Sequence, residues 1–127
     1  MGHLFTDVVV RGNKGMKEMK GVLIDTGATF TILPQAVLDE IEASKLPTES
    51  EVELGDGRTI KSRAYGVGIK IQDAEAPAIA LTFEGAPSVI GVETLESIGL
   101  KLDPTTGKLE FTRPKGLAYF YRSIRVR

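Results

Sequence analysis

Asp25, Thr26 and Gly27 stand together at the end of an apolar run, Val22-Leu23-Ile24. A carboxylate in that position is costly to desolvate unless something pairs with it. Gly27 permits a sharp turn and a close approach by another backbone or a ligand. Thr26 can donate and accept a hydrogen bond across a short gap. Hydrolysing an amide with activated water needs a base for the water and an acid for the leaving nitrogen. One carboxyl does this poorly. Two carboxyls about 3 Å apart share one proton, because like charges that close do not both ionise, and together they supply both functions. The chain has no second Asp-Thr-Gly or Asp-Ser-Gly. A two-fold axis would bring in the missing partner, since a symmetric dimer sets a residue opposite its own copy.

Composition narrows the other chemistries. The 127 residues include no cysteine, which excludes a disulfide framework and a thiolate metal site. The single histidine, His3, lies near a terminus, so neither a Ser-His-Asp triad nor a multi-histidine metal centre is expected. No metal and no organic cofactor are implied. Apolar residues at 42% and charged residues at 26% are those of a globular domain. No apolar run reaches the length of a membrane span and no signal-peptide pattern opens the chain, so a soluble cytoplasmic protein without a membrane partner is the expectation.

The formal charge of −1 is unevenly spread. Residues 111–127 hold Arg113, Lys115, Arg122, Arg125 and Arg127 and no acid. Such a tail can bind nucleic acid. Tyr119, Phe120 and Tyr121 beside those arginines read instead as a strand that packs an interface, and nucleic acid is not an expected partner.

The elements that must position Asp25 follow a period of two. Strands are predicted over 3–11 and 16–24, joined by the Gly-Asn-Lys-Gly turn at 12–15. A short β-prone piece, 29–33, ends at Pro34, which suits the first turn of a helix over 35–44 with Val37, Leu38 and Ile41 on one face. Residues 51–71 read as a long hairpin with a tight turn at Asp56-Gly57. A strand is predicted at 78–84. A two-turn helix follows Val89-Ile90-Gly91, with Leu95 and Ile98 as its apolar stripe and Gly99 as its cap. Two strands flank the turn at Asp103-Pro104 within 100–111, and a last strand is read at 117–126. Glu93 and Glu96 are expected on an exposed helix face. Gly66-Val67-Gly68 lacks the following helix that a dinucleotide site needs. So many short strands need covered edges, and a mainly β, closed architecture with one or two short helices is expected. The division is a domain over 1–113 and a basic, aromatic tail over 114–127.

With those elements placed, the segment 22–34, Val-Leu-Ile-Asp-Thr-Gly-Ala-Thr-Phe-Thr-Ile-Leu-Pro, resembles the active-site segment of the retroviral-type (retropepsin-like) aspartic proteases. Val89, Ile90 and Gly91, leading into the late helix, resemble the family's second signature. The turn Gly55-Asp56-Gly57-Arg58 falls where the family carries its flap. The order and spacing match over roughly residues 4 to 112. The resemblance implies a homodimer with one barrel-like lobe per chain and no cofactor. It implies Asp25 as the catalytic carboxylate, Thr26 bonding across the dimer, and Gly27 lining the substrate channel. Ala28 and Thr29 follow the family's pattern, with Thr29 supporting the loop through its side chain. The activity implied is that of an aspartic endopeptidase acting on peptide or protein. The alternative is a catalytically weak, protease-like dimerisation or peptide-binding module. The tail after Phe111 is longer than a minimal subunit of that family needs.

Overall fold

The structure is a computed structural model and describes residues 4–112. His3 and the strand expected at 117–126 lie outside the described residues, as does the whole of the 114–127 tail. Alternation builds the first hairpin. Strand β1 (Leu4–Gly12) buries Val8 and Val10, and β2 (Gly15–Ile24) returns antiparallel and buries Val22 and Ile24. Gly12 closes this hairpin against Ile41, whose carbonyl oxygen occupies the space a Cβ would need.

Strand β3 (Thr31–Ile32) leads into α1 (Gln35–Glu40), which buries Val37 and Leu38. The apolar face lies where the spacing put it, but the helix is shorter than the expected 35–44. Glu42 takes a positive φ of 50°, and the carbonyls of Ile41 and Glu42 accept bonds from Lys14 and Asn13 of the first hairpin. Those carbonyls are therefore spent outside the helix, and the chain turns into β4 (Ser44–Glu53). Pro47 sits at a register shift between Lys45 and Glu49, where the ladder to the next strand is interrupted.

The long strand β5 (Thr59–Ile71) pairs with β6 (Ala74–Thr82) through a two-residue turn, Gln72-Asp73, both with positive φ. That geometry suits the right-handed twist of the flanking strands. It also brings β6 back at once, so this strand starts earlier than the 78–84 expected. Strand β7 (Val89–Ile90) and α2 (Val92–Ile98) follow. Helix α2 buries Thr94, Leu95 and Ile98 and ends on Gly99 at φ 91°, the left-handed cap the sequence predicts. Strands β8 (Leu100–Asp103) and β9 (Lys108–Phe111) form their own two-stranded sheet.

The main sheet has the order β1-β2-β7-β3-β6-β5-β4, with β2–β7 and β3–β6 parallel. Strand β5 is long enough to serve two neighbours along one edge. It gives Thr59–Gly66 to β4 and Gly68–Lys70 to β1. The sheet thus curls until β1 reaches β5, while β4 keeps an outer edge unpaired among the described residues. The mainly β reading with two short helices holds. The closed barrel is not what these pairings draw, because β4 stands outside the β1–β5 contact. Inside the curl lie Val10, Leu33, Ile69, Ile71, Ile90 and Leu95, all nearly or fully buried.

Candidate active site

Asp25 is the first residue after β2. Its position is set by β7, because Leu23 and Ile24 pair in parallel with Val89 and Ile90. The Asp25 N–H extends that ladder by donating to the Ile90 carbonyl at 3.0 Å. The loop then folds on its own carboxylate. The Gly27 N–H donates to Asp25 Oδ1 at 2.9 Å, and the Ala28 N–H donates to the Asp25 carbonyl at 3.0 Å.

The far side of the loop is pinned to α2. The Val92 and Glu93 N–H groups donate to the carbonyls of Ala28 and Thr29 at 2.8 and 3.0 Å. First-turn N–H groups have no partner inside their own helix, so the loop supplies what α2 lacks. Beneath this, the buried Thr31 hydroxyl accepts from the Gly91 N–H at 3.1 Å and lies 2.6 Å from the Thr94 hydroxyl, also buried. Gly91 packs so closely that a Cβ there would lie 2.5 Å from the carbonyl carbon and oxygen of Phe30. Val89, Ile90 and Gly91 are therefore the frame on which the Asp25 loop is built.

Two expectations are corrected. Asp25, Thr26 and Gly27 are exposed on the single chain, whereas the apolar strand suggested a water-poor setting for the carboxylate. The strand buries Val22 and Ile24, but Asp25 comes one step after its end, where the loop turns outward. Thr29 supports the loop with its backbone carbonyl; the side-chain support comes from Thr31. Thr31 and Thr94 were missed in the sequence. The available signal was Thr94 at four residues before Ile98, on the buried stripe of α2, and Thr31 between apolar neighbours in a strand.

The turn expected to serve as the flap, called the flap turn, is built differently. It spans residues 54–58 between β4 and β5, wider than the two-residue Asp-Gly turn expected. The Leu54 N–H donates to the Arg58 carbonyl at 2.7 Å and the Gly57 N–H to the Leu54 carbonyl at 2.9 Å. Asp56 closes it. Its carboxylate accepts from the Arg58 N–H at 3.0 Å and from the Arg58 guanidinium at 2.7 Å. These bonds, the backbone N–H foremost, hold the Asp56 carboxyl below the usual aspartate range. Gly55, Asp56, Gly57 and Arg58 are all exposed, and among the described residues no hydrogen bond joins them to the Asp25 loop. Behind the turn the hairpin is two-faced. Val52 opposes Ile60 on a half-buried face, while Glu51 opposes Lys61 and Glu49 opposes Arg63 on the other.

The base of the hairpin is tied to α1 by a side chain not singled out in the sequence. Gln35 Oε1 accepts two bonds from Arg63, at 3.0 and 2.9 Å, and Gln35 Nε2 donates to Asp39 and to the Tyr65 hydroxyl, each at 3.0 Å. Among the described residues no cluster of three or more His, Asp or Glu side chains could hold a metal ion.

A comparison with known families bears on this arrangement. Residues 17–97, well over half of the chain, match the model described as "gag-polyprotein putative aspartyl protease". The chain belongs to this retroviral-type aspartic protease family. The match spans the family member's Asp25 loop, β4–β5 hairpin and Val89-Ile90-Gly91 segment and stops within α2. A comparison with curated proteins finds no match.

Proposed function

We propose that this family member is an aspartic endopeptidase whose site is completed by a second copy of the chain. The observation that carries the reading is an exposed carboxylate on a loop braced from within at Ile90, Gly91, Val92 and Glu93. A fixed loop that presents its carboxyl outward is suited to meet an identical loop across a two-fold axis. In this reading each chain contributes one barrel-like lobe, and Thr26, exposed beside Asp25, bonds across the axis.

The two Asp25 carboxyls share one proton and hold one water between them. The ionised carboxylate takes a proton from the water, and the water oxygen bonds to the scissile carbonyl carbon. The protonated carboxyl donates to the carbonyl oxygen, giving a tetrahedral diol. The carboxyl that took the water's proton passes it to the amide nitrogen. The carbon–nitrogen bond breaks as a diol hydroxyl gives its proton to the other carboxylate, and the amine leaves neutral with the pair again sharing one proton. The substrate is an extended peptide held by main-chain hydrogen bonds, with side chains in alternate pockets. The flap around Gly55–Arg58 covers it and excludes water. An acidic to near-neutral optimum follows from the need for one proton on the pair.

Asp25→Asn tests the assignment. Its circular dichroism should match the parent, because the amide that replaces the carboxylate keeps an oxygen to accept from the Gly27 N–H. Cleavage of a mixed peptide pool should fall about a thousand-fold or more. Cleavage at the parent rate would end the proposal, and peptide binding without cleavage by the parent would favour the binding module.

A further inference from the structure

A cleft of about 380 Å³ is lined by Phe30, at the end of the Asp25 loop, and by Leu46, on the strand that leads into the flap turn. Its place follows from register. Thr31 and Ala80 pair in the parallel β3–β6 ladder and are fully buried. Phe30 and Ile79, one step earlier in each chain, therefore fall side by side on the other face of the sheet. Ile79 is 41% exposed, and its neighbour across the β5–β6 ladder is Gly66, which adds no side chain. The hollow is thus left by a glycine among larger neighbours. A Cβ at Gly66 would meet only the Leu46 side chain, at 3.9 Å.

Glu93 of α2 is the one charged residue lining this cleft. Among the described residues no ion pair neutralises it. Its N–H donates to the Thr29 carbonyl at 3.0 Å, so the acid and Phe30 belong to one braced unit. A wholly apolar occupant would fill the walls but take water from an unpaired carboxylate, which is costly. A lysine or arginine side chain meets both demands. Its methylene stem would lie along Leu46 and Ile79 while its cation reaches Glu93. An arginine would also stack its guanidinium on Phe30. The distance suits a bound peptide. Phe30 follows Asp25 by five residues, so their Cα atoms are at most about 18 Å apart, a span that about five extended peptide residues cover.

We propose that this cleft is the subsite that takes an arginine or lysine side chain of the bound peptide, with Glu93 as the residue that sets the preference. The inference rests on the peptide-binding part of the proposed function and not on its cleavage step. The substrate class is then an extended segment with a basic residue a few positions from the bond held at Asp25. The apolar wall selects the length of the side chain, and Glu93 selects the sign of its charge.

Peptide retention tests the subsite apart from proteolysis. Full-length Asp25→Asn protein is exposed to a mixed peptide pool and the retained peptides are sequenced. The same is done with Glu93→Lys, and separately Gly66→Val, added to Asp25→Asn. The Asp25→Asn protein should enrich arginine or lysine about five-fold at one position, and less at higher salt. Glu93→Lys should turn that enrichment to aspartate or glutamate at the same position. Gly66→Val, which fills the cleft against a side chain rather than backbone, should abolish it with the circular dichroism unchanged. Retention without a basic preference, a preference that either substitution leaves unmoved, or no retention at all would overturn the proposal. A basic preference in retention with no cleavage by the parent chain would leave the subsite standing and remove the endopeptidase reading alone.

Discussion

The Asp25 loop and the flap turn both interrupt strands, and both use an aspartate to accept a backbone N–H two residues on. Beyond that they diverge. The Asp25 loop is held by partners about sixty residues away, at Ile90, Gly91 and Thr94. Among the described residues, the hydrogen bonds of the flap turn run between its own residues, Leu54 to Arg58. The glycines follow the same division. A Cβ at Gly91 would meet the Phe30 backbone at 2.5 Å, whereas Gly55 and Gly57 have nothing within 4 Å. Opening the loop would break long-range bonds and disturb the core, whereas the bonds inside the 54–58 turn do not tie it to the Asp25 loop. In the proposed protease, a site that presents one carboxyl at a fixed point and admits a peptide would use both.

Substitutions can break this contrast, beginning with the most severe. Gly91→Ala should cost about 3 kcal/mol, because the methyl group strikes backbone rather than a flexible side chain. Gly55→Ala, in open space, should change stability by no more than about 0.5 kcal/mol. Thermal unfolding of the pair checks this, and equal losses would show that the two regions are not held differently.

Thr31→Val should come next, at about 2 kcal/mol, since it strands the buried Gly91 N–H and the Thr94 hydroxyl while keeping the shape. Denaturant unfolding measures the loss. Peptide cleavage, if the proposed activity holds, should fall by more than stability alone accounts for.

The smallest effect concerns pH. The Arg58 bonds depress the Asp56 carboxyl, so the closing of the flap turn is fully present above the ordinary aspartate range and lost as pH falls through the lowered value. Hydrogen exchange at the Arg58 N–H should therefore stay protected through mildly acidic pH and open below it. Asp56→Asn should remove that pH dependence without moving the global unfolding midpoint.

Much of this division was legible in the sequence. The Gly99 cap of α2, the hairpins around Asn13-Lys14 and Asp103-Pro104, and the Val89-Ile90-Gly91 signature ahead of α2 all rest on local pattern or a recognisable motif, whereas the parallel pairing of that signature with the Asp25 segment came from the structure. The end of α1 was not legible, because Ile41 continues the helical spacing and only contact with the first hairpin diverts the chain. The Thr31–Thr94 bond was not legible either, since it joins residues 63 apart and neither threonine is unusual in its own segment. The exposure of Asp25 escaped for a different reason. Periodicity says which strand residues face the core, and Asp25 lies one step beyond the strand it follows.

The central claim is that one site needs two copies of Asp25. Parent chain and Asp25→Asn chain can be mixed in varying ratio at constant total concentration, equilibrated and assayed on a peptide pool. Random pairing leaves about a quarter of the dimers with both carboxyls at equal mixing, so cleavage should fall as the square of the parent fraction. Cleavage that falls only in proportion to the parent fraction would mean that each chain works alone, and would contradict the account.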